Sequence, residues 1–322
     1  MTTRRAVARR SLGEQAGHTL LEWLIAVALG LVAIGGALTL YRLQREAFSR
    51  SADAARMREA GAAALTLVGQ QIQMAGYAPV EAPELRTRVT PGLFGCESAR
   101  PVLSPMDGQP ACAPHRNAHS RASRSPGSRH PSGSSGFAQL RGDWSLADAP
   151  GSLHPLGRAS SLSPLDSDGI VVRYVDDGVA TWPSASGEPT DCLGQGVTRH
   201  RGHAVIVNRF YAAKPAQRES PELYCGGNGH AITPQPLVQG VERMTFRYWL
   251  RGGVEPVGAR AILPAQWADV VAVDLCVVVR GRETRARKTF LDCDGQRVQG
   301  PDAHERLALS RHLVLRNQEP AR

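Results

Sequence analysis

The chain has 322 residues, 42% of them hydrophobic, and its 38 Lys and Arg against 29 Asp and Glu give a formal charge of +9 and a pI near 9.7. A basic surplus of this size is compatible with phosphate contact, but no aromatic-basic motif or recognition helix accompanies it, which leaves nucleic acid a minor candidate partner. There is no G-x-S-x-G, H-E-x-x-H, phosphate loop or histidine-framed carboxylate pair; the chain reads as a non-enzyme without metal or other cofactor.

The first element is apolar. Trp23 to Tyr41 contains no Asp, Glu, Lys, Arg or His, and as a helix it extends about 28 Å, close to the hydrocarbon thickness of a bilayer. A basic leader (Arg4, Arg5, Arg9, Arg10) precedes it and ends at Gly17, ahead of the apolar run, so cleavage at this glycine leaves the helix on the mature chain. Glu22 stands at the start of the run. A carboxylate costs on the order of a few kcal/mol at the bilayer centre, so this one either rests at the headgroup interface or awaits a partner.

The series Gly17-His18-Thr19-Leu20-Leu21-Glu22, followed by the apolar run, resembles the class III leader of type IV prepilins. The resemblance implies cleavage after Gly17 by a prepilin peptidase, N-methylation of His18 and an assembly role for Glu22 at the fifth mature position. His18 departs from the phenylalanine or methionine usual at the first. A new α-amino group is cationic and, in apolar surroundings, needs an anion such as Glu22 of its own or a neighbouring chain. Removing the leader leaves a charge of about +6 by the same counting.

Past the apolar run, Phe48, Ala52, Ala55, Ala62, Leu65, Val68 and Ile72 recur at helical steps without a proline before Pro79. This predicts one long helix from about His18 to Ala75, apolar first and amphipathic afterwards, its second half packing on a head. Gly30, Gly35 and Gly36 weaken the membrane half by up to about 1 kcal/mol each relative to alanine. They serve either local melting during assembly or close helix packing.

Arginines flank the apolar run on both sides and do not settle its orientation. Cysteines bear on it instead: Cys96, Cys112, Cys192, Cys225, Cys276 and Cys293 all follow the helix, and none forms a CxxC. An even set so spaced suits disulfides in an oxidising compartment such as the periplasm; free buried thiols are the alternative. Sequence-adjacent pairing (96 with 112, 192 with 225, 276 with 293) is the expectation here among the fifteen connectivities that six cysteines allow.

After Pro79 the pattern turns to β. Gly169 to Val175, His203 to Tyr211, Val241 to Leu250, Val270 to Arg280 and Leu307 to Leu315 are short and valine-rich, bounded by turn residues. One long helix followed by strands predicts an α+β fold, a helix laid on an antiparallel sheet. No internal repeat is evident. Ala113 to Gly136, with four arginines, three histidines, seven serines and no acid, is expected to be a disordered insertion. The organisation read here is leader 1–17, transmembrane and stalk helix 18–77, and periplasmic β-rich head 78–322. His200 and His203 read as a polar loop, and Asp166 and Asp168 as a turn before a strand.

In order, DGIVVRY (Asp168 to Tyr174), CLG (Cys192 to Gly194), VNRFY (Val207 to Tyr211), LYC (Leu223 to Cys225), PLVQGVERMTFRY (Pro236 to Tyr248), WADVVAVDLCVVVR (Trp267 to Arg280) and LVLRN (Leu313 to Asn317), after a stalk ending QQIQMAGY (Gln70 to Tyr77), are similar to a PilW-type minor pilin. The resemblance implies a scarce subunit of the type IV pilus that sits in the inner membrane with its head in the periplasm and then on the surface pilus. It implies partnership with other minor pilins as a primer for the major pilin, near the tip and beside an adhesin, in support of twitching motility. Head contacts are expected at strand edges or at aromatics such as Tyr248, Trp249 and Trp267, for which core packing is the other use. Two further readings stay open: a minor pseudopilin of type II secretion, and a DNA-uptake pilin acting through Arg116, Arg121, Arg124 and Arg129.

Overall fold

The structure, a computed structural model, describes residues 19–104, 109–114, 167–178, 183–214, 218–230 and 233–317. The chain forms two compact units, Met1–Ala54 and Ala55–Arg322. Helix α1 (Leu20–Met74) supplies the described part of the first unit and continues into the second.

In the first unit the helix wears its apolar side chains outward on all sides: Leu20, Trp23, Leu31 and Val32 are all more than half exposed. A helix apolar all round is stable only where something other than water covers it. By length and composition it is a candidate membrane span, and none of its most apolar window is buried within the protein. Gly30, Gly35 and Gly36 have no neighbour within 4 Å where a Cβ would stand.

In the second unit the remaining turns of α1 bury one stripe: Met57, Gly61, Ala64, Leu65, Val68 and Ile72 among them. Leu65, Val68 and Ile72 are buried as expected, whereas Ala55 and Ala62 face solvent and Phe48 is 75% exposed. The departure comes from glycine. A Cβ on Gly61 would overlap Leu309, and one on Gly69 would crowd Leu313, so the two bare positions let the helix lie close on a sheet.

After α1 come α2 (Pro83–Val89), β1 (Leu93–Cys96), β2 (Ala99–Leu103), β3 (Pro110–Pro114), β4 (Gly169–Val175), β5 (Val205–Ala213), β6 (Glu222–Gly226), β7 (Gln235–Gln239), β8 (Val241–Leu250), β9 (Val270–Glu283), β10 (Thr289–Leu291), β11 (Arg297–Gln299) and β12 (His304–Val314). They pair antiparallel into a five-stranded sheet β1-β4-β5-β6-β7, a three-stranded sheet β12-β9-β8 and the hairpins β2-β3 and β10-β11. The fold is α+β. Ala113 and Pro114, expected to open the insertion, instead complete β3; residues 115–136 lie outside the described ones.

Period-two alternation explains what meets α1. Ile170, Val172 and Tyr174 on β4, Ile206 and Phe210 on β5, Phe246 on β8, and Val273, Leu275 and Val277 on β9 join Val68 and Ile72 in one core. Gln71 is the polar contact within it: its Oε1 accepts from Tyr174 Oη at 3.0 Å and Asn208 Nδ2 at 2.7 Å. Asn208 Oδ1 in turn accepts from the Cys192 backbone N–H at 3.0 Å. On the opposite face of the five-stranded sheet, Leu85 and Val89 of α2 pack with Val175 and Val205.

Ser167 and Asp168 join the two sheets. The Asp168 backbone N–H donates to the Met244 carbonyl at 2.9 Å, while its carboxylate accepts from Phe246 N–H at 3.0 Å and Ser98 N–H at 2.8 Å. With Ser167 Oγ accepting from Met244 N–H at 3.0 Å, these groups occupy the edge of β8 before the chain enters β4. Burial pushes the Asp168 carboxyl up to about 6, against the pull of its two backbone donors.

Disulfides join Cys96 to Cys112, Cys192 to Cys225 and Cys276 to Cys293. Two of them are carried by the same turn, Asp191-Cys192-Leu193-Gly194-Gln195 and Asp292-Cys293-Asp294-Gly295-Gln296. In each, the aspartate Oδ1 accepts from backbone N–H groups two and four residues on, and the glycine takes φ +72. Only glycine holds that left-handed position without strain. This D-C-x-G-Q recurrence corrects the expectation of no internal repeat, and its five residues are too short for the pattern to stand out in the sequence.

Candidate assembly site

Thr19 and Glu22 build the start of α1. The Glu22 backbone N–H donates to Thr19 Oγ1 at 3.3 Å, and the Thr19 backbone N–H donates to Glu22 Oε2 at 3.1 Å. This reciprocal pair is a capping box, the T-x-x-E pattern satisfying two N–H groups that a helix start leaves over. Trp23 N–H then reaches the Thr19 carbonyl at 3.2 Å as the first helical bond. The carboxylate also lies at the positive end of the helix dipole, where an anion is favoured.

Glu22 is thus held at the mouth of an exposed apolar helix by its own cap. A carboxylate offers about four lone-pair sites, and the cap engages one of its two oxygens. Gly17 and His18, the expected cleavage and methylation positions, lie outside the described residues. Thr19 was missed in the sequence, although the spacing to Glu22 carries the signal.

The head aromatics divide. Tyr248 and Trp267 are core residues, 0% and 3% exposed, meeting edge to face at 5.0 Å. Trp249 reaches the outer side of the three-stranded sheet, where its Nε1 donates to Asp274 Oδ2 at 2.7 Å and Asp274 Oδ1 meets His312 Nδ1 at 2.6 Å. His200 and His203 pair through backbone across a tight turn. Among the described residues no three His, Cys, Asp or Glu side chains are placed to hold a metal ion. Asp166, Arg116, Arg121, Arg124 and Arg129 fall outside them.

Residues 13–38 match the prokaryotic N-terminal methylation motif, and residues 209–317, about a third of the chain, match the family model of type IV pilus-assembly protein W. No curated protein matches the chain. Among solved structures a type IV-like pilin from Thermus thermophilus aligns at 13% identity over 49% of this chain and 82% of its own, with a TM-score of 0.29. Two separate stretches of the chain, near its N-terminus and in its C-terminal third, are thus similar to the methylation motif and to type IV pilus-assembly protein W.

Proposed function

We propose that this chain is a minor pilin that primes type IV pilus assembly near the tip, together with other minor pilins and the major pilin. The observation that carries the reading is the capped Glu22 at the head of an exposed apolar helix, inside the matched methylation motif. Prepilin peptidase cleaves after Gly17, the α-amino group of His18 is methylated, and the subunit waits in the inner membrane with its disulfide-bonded head in the periplasm. Glu22 of one subunit then neutralises the α-ammonium group of another as the helices leave lipid for the filament. An unpaired charge in apolar surroundings costs several kcal/mol, which gives docking its direction.

Two substitutions separate the charge from the cap. Glutamine preserves a capping box, since T-x-x-Q closes it as T-x-x-E does, but removes the charge. Glu22→Gln and Glu22→Ala are both expected to insert in the membrane and to leave the cell with few surface pili. Piliation restored by glutamine would reduce Glu22 to a helix cap. Loss of enzyme export with pili intact on deletion of the gene would turn the reading toward a type II secretion filament.

A further inference from the structure

The face of the five-stranded sheet turned away from α1 carries a cluster that the assembly reading does not use. Tyr211 on β5 and Tyr224 on β6 are register partners, and their rings stack with centroids 5.7 Å apart. Arg209, two residues before Tyr211, shares this face by strand alternation. Its Nε donates to the Gly226 carbonyl at 3.3 Å, and a Cβ on Gly226 would come within 2.8 Å of its Nη2. A bare glycine therefore makes the bed for the guanidinium.

A second guanidinium arrives from β2, which lies against β4 and β5. Gly169, the register partner of Tyr211, lies so close to β2 that a Cβ on it would overlap Pro101 and crowd the Ala99 carbonyl, which brings Arg100 beside Tyr211; the Arg100 Nε is buried without an acceptor. Burial and the like charge of Arg100 both lower the pKa of Arg209, burial being the larger cause. The neighbouring acid is committed elsewhere: Glu222 takes Arg218 at 3.2 Å and the Tyr224 hydroxyl at 2.8 Å. Among the described residues neither Arg100 nor Arg209 has a carboxylate partner.

Arg100 and Arg209, both half-buried beside Tyr211, put two positive charges on this face that an anion would offset. We propose that Arg100 and Arg209, on the Tyr211–Tyr224 platform, form a binding site for an oxyanion, a carboxylate or a phosphate. The planar forks of arginine suit both, each taking two oxygens through paired N–H groups. A carboxylate would be supplied by an acidic side chain of a neighbouring protein, a phosphate from solution. The proposal stands apart from the role given to Glu22.

The test is thermal unfolding of the head in the full-length chain in detergent, at constant ionic strength, with inorganic phosphate or acetate added. Phosphate or acetate at about tenfold above its Kd is expected to raise the melting temperature by roughly 3–6 °C. The rise is expected to vanish in Arg100→Gln and in Arg209→Gln but to survive in the control Arg287→Gln. Acetate acting as strongly as phosphate assigns the site to a protein carboxylate, and phosphate acting alone assigns it to free phosphate. No rise with either anion, or a rise kept in both glutamine variants, overturns the proposal.

Discussion

Tyr248 lies wholly inside the head, its hydroxyl without a hydrogen-bond partner among the described residues and set against the bare Cα of Gly95. An unsatisfied buried hydroxyl costs about 1–3 kcal/mol of desolvation with nothing returned. Tyr248→Phe is therefore expected to leave the head as stable as before or more stable by about 1 kcal/mol in denaturant unfolding. A clear loss would mean that the hydroxyl has a partner. Asp168 gives the opposite kind of residue, buried but bonded. Its pKa is raised from 3.8 to about 6, so the folded state holds the proton more tightly than the unfolded one. The stability this supplies is complete below about pH 4, is lost as pH rises to about 6, and stays lost above that, a change of about 3 kcal/mol. Asp168→Asn is expected to abolish this component, so that the difference between parent and variant varies across that window and is flat above it. A constant difference from pH 4 to 7 would contradict the assigned shift.

Elements were legible in the sequence where one periodicity acted alone. The long helix and the strands at Gly169–Val175 and Val241–Leu250 follow directly from their patterns. The short pairs β2-β3 and β10-β11 carry too few residues for a period to show, and α2 is a single seven-residue segment. In the buried stripe of α1, Leu65, Val68 and Ile72 follow the helical period, whereas Gly61 and Gly69 do not register in it. Close approach selects for absent side chains, and an absence does not register as a hydrophobic period. Gly92 shows the same thing between segments, since a Cβ there would overlap the backbone of Gly76. At the candidate site Glu22 was legible because an acid at an apolar boundary demands explanation, while Thr19 looked ordinary. Disulfides bind the irregular elements to the regular ones: Cys293 ties the turn between β10 and β11 to β9, and Cys192 ties its turn to β6. Reduction is expected to lower head stability by a few kcal/mol per bridge. Unchanged melting, with all six thiols shown free by alkylation, would remove that role.

Taken whole, the molecule joins an apolar helix that the protein leaves uncovered to a head whose core is closed by two sheets and three disulfides. Such a helix needs lipid or other helices around it. On the function proposed above, a filament would supply the second when a subunit leaves the first. The basic surplus of the chain has a smaller part, because the proposed cleavage would take away a share of it and arginines 116, 121, 124 and 129 lie outside the described residues.

On the proposed function, the chain is processed after Gly17 and resides in a filament. N-terminal mass spectrometry of this chain recovered from sheared surface filaments, in cells with and without prepilin peptidase, tests both at once. The expected result is a chain beginning at methylated His18 in the pilus fraction of the first cells and none in that of the second. A chain that keeps residues 1–17 and stays in the membrane of both would contradict it and leave a membrane-anchored periplasmic protein in its place.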